Sequence, residues 1–404
     1  MRRSLPSRTL RARTLAVAGL LIGAAAAAVV PVAAQEYAEA QAALARVTAR
    51  LEPEVRRALL DGQIPSLTLA LTDREGELWS GAWGHSNLWA RTPATTNTVY
   101  LIGSTFKAQS TLAFLQQMEA GRFDLDDPVR DHLGGALTIR NERPDDPVRM
   151  RHLLTHTSGL PVSFGPHLVW GETVPPSLQD YLADSLAVQR APLEDVEYAN
   201  IAYTLVGWLV ERFSGTPYKQ YVEERIWGAL DMDNTAFAPT PEMEERLSVP
   251  YVPDPDTGRP VATVRLKANV WPAGIVYGTI HDQANWVRFN LGDGTWNGTR
   301  LLSQETLDAM HTLQYPQFAG RPIAGGWGYD DPGYGLTWWT THRDGERYFA
   351  HSGSVPGYTA FVMGNKTRGF GVALLTNGNA AHPHLVRLSN LALDLLAEEL
   401  GESR

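Results

Sequence analysis

Strand-like text occurs near both ends of this chain, with helical text between, and that distribution constrains its fold more than any other feature. Ser66–Thr72 and Glu77–Trp83 are two short strand-like runs joined by Asp73-Arg74-Glu75-Gly76, a hairpin signal. Four more runs follow far down the chain, at 334–341, 346–350, 358–364 and 369–376, with turns at Asp344-Gly345 and Asn365–Gly369. From Asp124 to about Leu230 the text is helical segments broken by Pro- and Gly-rich turns, and Asp254–Pro260 is a loop by composition. Leucine or valine at 44, 47, 51, 55 and 59 forms a helical stripe over 36–61, and an apolar helix is predicted over roughly 384–400. Strand runs this far apart point to one sheet built from both ends, so the prediction is an α+β fold with a mostly helical region inserted in the middle. The predicted division is 35–123 and 265–404 for the sheet-containing part and 124–264 for the helical part.

Residues 1–34 read differently. Five arginines (2, 3, 8, 11 and 13) and no acid precede an apolar stretch from Leu15 to Val30, and Val32-Ala33-Ala34 follows as a small-residue cleavage pattern. This is the layout of a secretory signal peptide, predicted to be removed, so the protein is expected to be exported, periplasmic or extracellular. The apolar run is a little short for a spanning helix, which makes an uncleaved anchor the lesser alternative. Arg2-Arg3-Ser4-Leu5 faintly suggests a twin-arginine signal. Removing the segment takes away five positive charges and no negative ones, moving the formal charge from −9 to −14. That acidity disfavours nucleic acid and anionic membrane as partners. There is no cysteine, so disulfides, a thiolate nucleophile and cysteine zinc sites are excluded.

Chemistry enters at Ser104-Thr105-Phe106-Lys107, after an apolar run and at the start of a helix predicted to end before Gly121. Residues three apart on a helix share a face, so hydroxyl and amine come within hydrogen-bond reach. Serine needs a base to become a nucleophile, and burial lowers a lysine's pKa until part of the population is neutral. Only four of the 35 basic residues are lysines (107, 219, 267 and 366); the others are arginines, which do not deprotonate in proteins. By itself Ser-x-x-Lys more commonly marks a solvated helix start.

Two further segments supply partners. Val196-Glu197-Tyr198-Ala199-Asn200 puts a phenol and an amide two apart before a helical run, Tyr203–Phe213. A phenolate beside a lysine ammonium would serve as base and then as acid for the leaving group; a buried tyrosine with a turn asparagine is the plainer reading. His351-Ser352-Gly353-Ser354 ends a strand. There a glycine lets substrate lie against the strand, and the Ser354 N–H, with that of Ser104, would form an oxyanion hole. Twelve tryptophans fit an apolar acyl pocket or core packing equally.

In order and spacing, Ser104-x-x-Lys107, Tyr198-x-Asn200 and His351-x-Gly353 resemble the three signature elements of the serine β-lactamase and penicillin-binding-protein superfamily, nearest its class C β-lactamase-like branch. Tyr100–Lys107, Arg151–Pro161, Pro272–Tyr277 and Tyr334–Trp339 are similar to other segments of that family, and the resemblance covers about residues 45–400. It implies a β-lactamase/transpeptidase-like fold with an antiparallel sheet, Ser104 as nucleophile, and Lys107 and Tyr198 sharing the proton transfers. Asn200 would hold the substrate's amide side chain and orient Lys107, while His351, Gly353 and Ser354 would line the substrate. No metal or cofactor is implied, and His152 and His156 are read as structural. Many β-lactamases have lysine at the place of His351, whereas a histidine there is mostly neutral at pH 7. The expected activity is therefore hydrolysis of esters or D-amino-acid-containing peptides through an acyl-enzyme, with a β-lactamase or cell-wall D,D-carboxypeptidase as the alternative. A catalytically silent member that binds peptidoglycan or self-assembles is the competitor of another class. An α/β-hydrolase is disfavoured, since Gly-x-Ser-x-Gly does not occur.

Overall fold

The computed structural model describes residues 19–162, 168–169, 177–268, 270–321 and 332–401. The first half of the proposed leader therefore lies outside the described residues. Its second half is helical and runs on without a break into the stripe-bearing segment, as α1 (Gly19–Asp61). Among the described residues no helix is long and apolar enough to cross a membrane.

One eight-stranded sheet is built from both ends of the chain, as predicted. Its strands are β1 (Ser66–Thr72), β2 (Glu77–Asn87), β3 (Thr92–Pro93), β4 (Gly333–Tyr334), β5 (Trp339–Arg343), β6 (Glu346–Val355), β7 (Tyr358–Asn365) and β8 (Phe370–Thr376). They lie in the order β4-β5-β6-β7-β8-β1-β2-β3, antiparallel throughout. The two ends of the chain meet at β1 and β8, where Leu67 faces Thr376 and Thr72 faces Gly371.

One expectation is corrected. The run at 334–341 is not a single strand: β4 and β5 are separated by a turn in which Thr337 has φ +80°. The Thr337 N–H donates to Leu154 O (3.0 Å) and its hydroxyl bonds Tyr203 (2.6 Å), so long-range partners hold a backbone conformation that a β-branched residue rarely adopts. The Asp344-Gly345 turn is where it was expected, with both residues at positive φ.

Alternation along the strands divides the core into two layers. Leu67, Leu69 and Leu71 of β1 point to the face covered by α1 and by α7 (His382–Leu400). The α1 stripe buries Leu44, Val47, Leu51, Val55 and Ala58 there, each large side chain contributing about 1.5–3 kcal/mol. The opposite face carries small residues, Ala70, Ala360 and Ala373, under α6 (Ile280–Leu291). A Cβ on Gly371 would come within 2.3 Å of Val287, so this helix lies close because the sheet offers no bulk beneath it. Beyond α6 on this face lie α2 (Lys107–Glu119), α3 (Met150–Leu154) and α4 (Asn200–Ser214). Most of the tryptophans whose side chains are described serve this packing: Trp286 and Trp338 are fully buried, whereas Trp89 is almost fully exposed.

Candidate active site

The nucleophile segment is a 3₁₀ turn, Gly103–Phe106, that leads directly into α2. Gly103 has φ +57°, and Phe106 anchors the turn between Trp227 and Phe237, with ring centroids 5.8 and 5.7 Å away. Backbone packs on both sides of this turn. A Cβ on Gly353 would sit 2.0 Å from Ile102 O and 3.0 Å from Ser104 N, and one on Gly274 would sit 2.7 Å from Gly103 C. Strand β6 and the short α5 (Trp271–Gly274) thus clamp the Ser104 peptide between them. On the β6 side a Cβ placed on Gly103 would lie 3.0 Å from the Ser354 nitrogen. The Ser104 and Ser354 nitrogens thus both lie at this contact, a placement that suits a pair of oxyanion donors.

Ser104 is partly exposed, while Lys107 is completely buried. Lys107 Nζ lies 2.9 Å from Ser104 Oγ and donates to the Ala273 carbonyl at 2.6 Å. Burial alone pushes this amine well below its ordinary pKa, and no carboxylate opposes that shift. A neutral amine gives an N–H to Ala273 and has a lone pair to accept the Ser104 O–H.

Tyr198 stands immediately before α4, with its phenol toward Ser104 and its ring 4.8 Å from Lys107 Nζ. Burial pushes the phenol upward, the Ser104 hydroxyl opposing, so Tyr198 is protonated at neutral pH. Burial thus favours a neutral amine and a neutral phenol over an ammonium–phenolate pair. Tyr203, one turn into α4, places its ring 5.6 Å from the same amine.

Asn200 is buried at the first turn of α4. It is not among the hydrogen-bond partners of Lys107 within the described residues; the Ala273 carbonyl holds the amine in the way expected of Asn200. His351 also differs from expectation as a surface facing substrate. Its imidazole is buried and lies parallel to Trp339 at 5.5 Å, with Nδ1–H donating to Ser352 O at 2.6 Å and Nε2 enclosed. Burial first, then Lys107, pushes its pKa down to about 3, so the ring is neutral. Of its strand neighbours, Gly353 makes the close approach and Ser354 is exposed.

Two groups at the site carried no part in the chemistry as read from the sequence. The Ala273 carbonyl is one: the Pro272–Tyr277 segment is recognisable, but a backbone acceptor has no identity of its own. The other is His156, whose ring packs on Tyr198 with centroids 4.2 Å apart.

The Beta-lactamase family model matches residues 38–397. The chain belongs to the beta-lactamase family. Its relatives include Penicillin-binding protein 4 of Amycolatopsis lactamdurans, 27% identical over 84% of this chain and 86% of that protein. Protein flp of Staphylococcus aureus (strain MW2) is 23% identical over 84% of this chain and 65% of its own length, so the match spans less than two thirds of that relative. Among solved structures, the octameric penicillin-binding protein homologue from Pyrococcus abyssi is similar, with a TM-score of 0.69 and 25% identity over 86% of this chain and 77% of that one. The antiparallel sheet from both chain ends, flanked by helices, is thus the β-lactamase-like fold.

Proposed function

We propose that this beta-lactamase-family protein is an exported serine hydrolase that forms an acyl-enzyme on Ser104 and hydrolyses esters or D-amino-acid-containing peptides. The observation that carries the proposal is the Ser104–Lys107 contact of 2.9 Å with the amine fully buried. Lys107 takes the Ser104 proton as Oγ bonds to the substrate carbonyl carbon, and the Ser104 and Ser354 amides receive the oxyanion. Tyr198 gives its proton to the departing oxygen or nitrogen and is reprotonated from Lys107. Water then loses a proton to the restored neutral pair, attacks the acyl carbon, and Ser104 leaves with a proton.

Substrates without a free carboxylate fit this site best, because His351 is neutral and buried where a cation would be needed. Arg190 and Arg321, near Tyr198 in sequence or through Asp195, are tied to Glu197 and Asp195 respectively. The segments 163–167, 170–176 and 322–331 contain no lysine or arginine. A β-lactamase or D,D-carboxypeptidase is the second reading, favoured by the relative named as a penicillin-binding protein. A silent binding member is disfavoured by the assembled Ser104, Lys107 and Tyr198.

The test compares wild type, Ser104→Ala and His351→Lys on a neutral activated ester and on benzylpenicillin, following turnover and intact mass. Wild type is expected to turn over the ester and to react poorly with the penicillin, Ser104→Ala to do neither, and His351→Lys to gain adduct formation with the penicillin. Ester turnover surviving in Ser104→Ala refutes the nucleophile, and rapid penicillin turnover by wild type refutes the substrate preference.

A further inference from the structure

We infer that His156 is the residue that positions Tyr198 for proton transfer, an inference that rests on the reading of Tyr198 as proton carrier given above. Tyr198 lies in a stretch, residues 195–199, with no helix or strand to hold it. Its backbone is tethered on both sides by one residue. The Glu197 N–H donates to His156 O at 2.8 Å, and the Ala199 N–H donates to His156 Nδ1 at 3.1 Å. Between these two bonds the imidazole packs on the phenol ring, 4.2 Å between centroids and 36° between planes. Backbone flanks and side chain of Tyr198 are therefore set by the same histidine.

His156 is itself fixed. It is fully buried, has φ +58°, and is ringed by Tyr203 and Tyr334 at 5.2 and 5.5 Å. On either side of it, Thr155 and Thr157 share a hydroxyl hydrogen bond of 2.8 Å, and Thr157 N–H donates to His152 O. Because Nδ1 accepts from Ala199, the ring proton is on Nε2 and the imidazole is neutral. Among the described residues no hydrogen bond joins His156 to Ser104 or Lys107; it acts through Tyr198.

The step it serves is departure of the leaving group. The acyl C–O bond breaks, its electron pair stays on the departing oxygen, and the Tyr198 O–H supplies the proton, which Lys107 replaces with the one taken from Ser104. A p-nitrophenolate leaves without that proton, whereas an alkoxide does not. Displacing Tyr198 must then slow alkyl esters and spare p-nitrophenyl esters, a difference that lost stability alone does not produce.

The experiment measures kcat/KM, which reports acylation, for the ethyl and p-nitrophenyl esters of one acid, with thermal midpoints alongside. Wild type, Ser104→Ala, Tyr198→Phe, His156→Ala, His156→Gln and His156→Asn are compared. His156→Ala is expected to lose about 10²-fold on the ethyl ester, the scale of a misplacement near 1 Å, and little on the p-nitrophenyl ester, as Tyr198→Phe does. Asparagine tolerates positive φ and carries an acceptor near the Nδ1 position, so His156→Asn is expected to recover part of the loss. His156→Gln, whose amide reaches toward Nε2 instead, is expected to remain selective against the ethyl ester. Should His156→Ala not fold, the Asn–Gln comparison carries the test. Equal losses on both esters, or no loss, with Tyr198→Phe still selective, overturn the inference and leave the reading of the site standing. Turnover surviving in Ser104→Ala overturns that reading and the inference with it.

Discussion

Gly353→Ala tests the oxyanion geometry through backbone packing alone. The new Cβ would fall 2.0 Å from Ile102 O, whereas carbon–oxygen contacts settle at about 3.3–3.6 Å. Relief requires the strand and the nucleophile turn to separate by roughly 1.3 Å, working from the lower end of that range. The turn has little room to retreat, because Gly274 backs it closely enough that a Cβ there would meet Gly103 C at 2.7 Å. Separation therefore moves the Ser354 amide away from the Ser104 amide. Losing one oxyanion donor costs about 10²–10³ in rate, and overpacking of this size costs about 1–3 kcal/mol of stability. The assay is the acylation rate with an activated ester, on protein whose folding is verified by its thermal midpoint. A folded Gly353→Ala that acylates within about tenfold of wild type would refute the clamped-turn account, since loss of the donor predicts at least about 10²-fold.

Two more outcomes are expected. His351 has a folded pKa of about 3 against an ordinary 6.5, so its contribution to stability is complete above about pH 6.5 and is lost as pH falls toward 3. His351→Phe removes that dependence, and chemical unfolding from pH 6.0 to 4.5 is expected to show a slope shallower by about 1.4 kcal/mol per pH unit; parallel curves would contradict the burial of a neutral ring. The leader makes a separate prediction: the exported protein is expected to begin near Gln35, and a mass that still includes Met1 would make residues 1–34 an anchor.

Much of this arrangement was legible because local chemistry and final contacts agree. Ser66–Thr72 is bounded by the Asp73–Gly76 turn, and the observed β1 has the same limits. Ser104 and Lys107 lie three apart at a helix start, and spacing alone brings them together. The failures share a cause. The run at 334–341 reads as strand text, yet Leu154 O and the Tyr203 hydroxyl, both distant in sequence, hold Thr337 in a turn. His351 reads as a group facing substrate, but its environment is decided by Trp339 across the sheet. Lys107 was assigned its amide partner from a side chain, while the partner is the Ala273 carbonyl, which any residue at that position supplies.

The absence of a carboxylate in the shift of Lys107 would let one amine both take and return a proton, as the proposed mechanism requires. A paired carboxylate would stabilise the ammonium and leave Ser104 facing a cation at rest. Burial does the opposite and keeps the lone pair available. Once Lys107 gains the Ser104 proton, the charge lies over the faces of Tyr198 and Tyr203, at 4.8 and 5.6 Å. Ring faces attract a desolvated cation by roughly 2 kcal/mol, enough to favour transient protonation and far less than a buried ion pair would supply. Neutral His351 and His156 add no positive charge against it, and each has its own pKa lowered by burial first and then by Lys107. The proton therefore has no deep resting place in the site. In the proposed mechanism it would pass from Ser104 to the amine, and from there through Tyr198 to the leaving group, because every alternative holder is either buried against charge or lacks an opposite one.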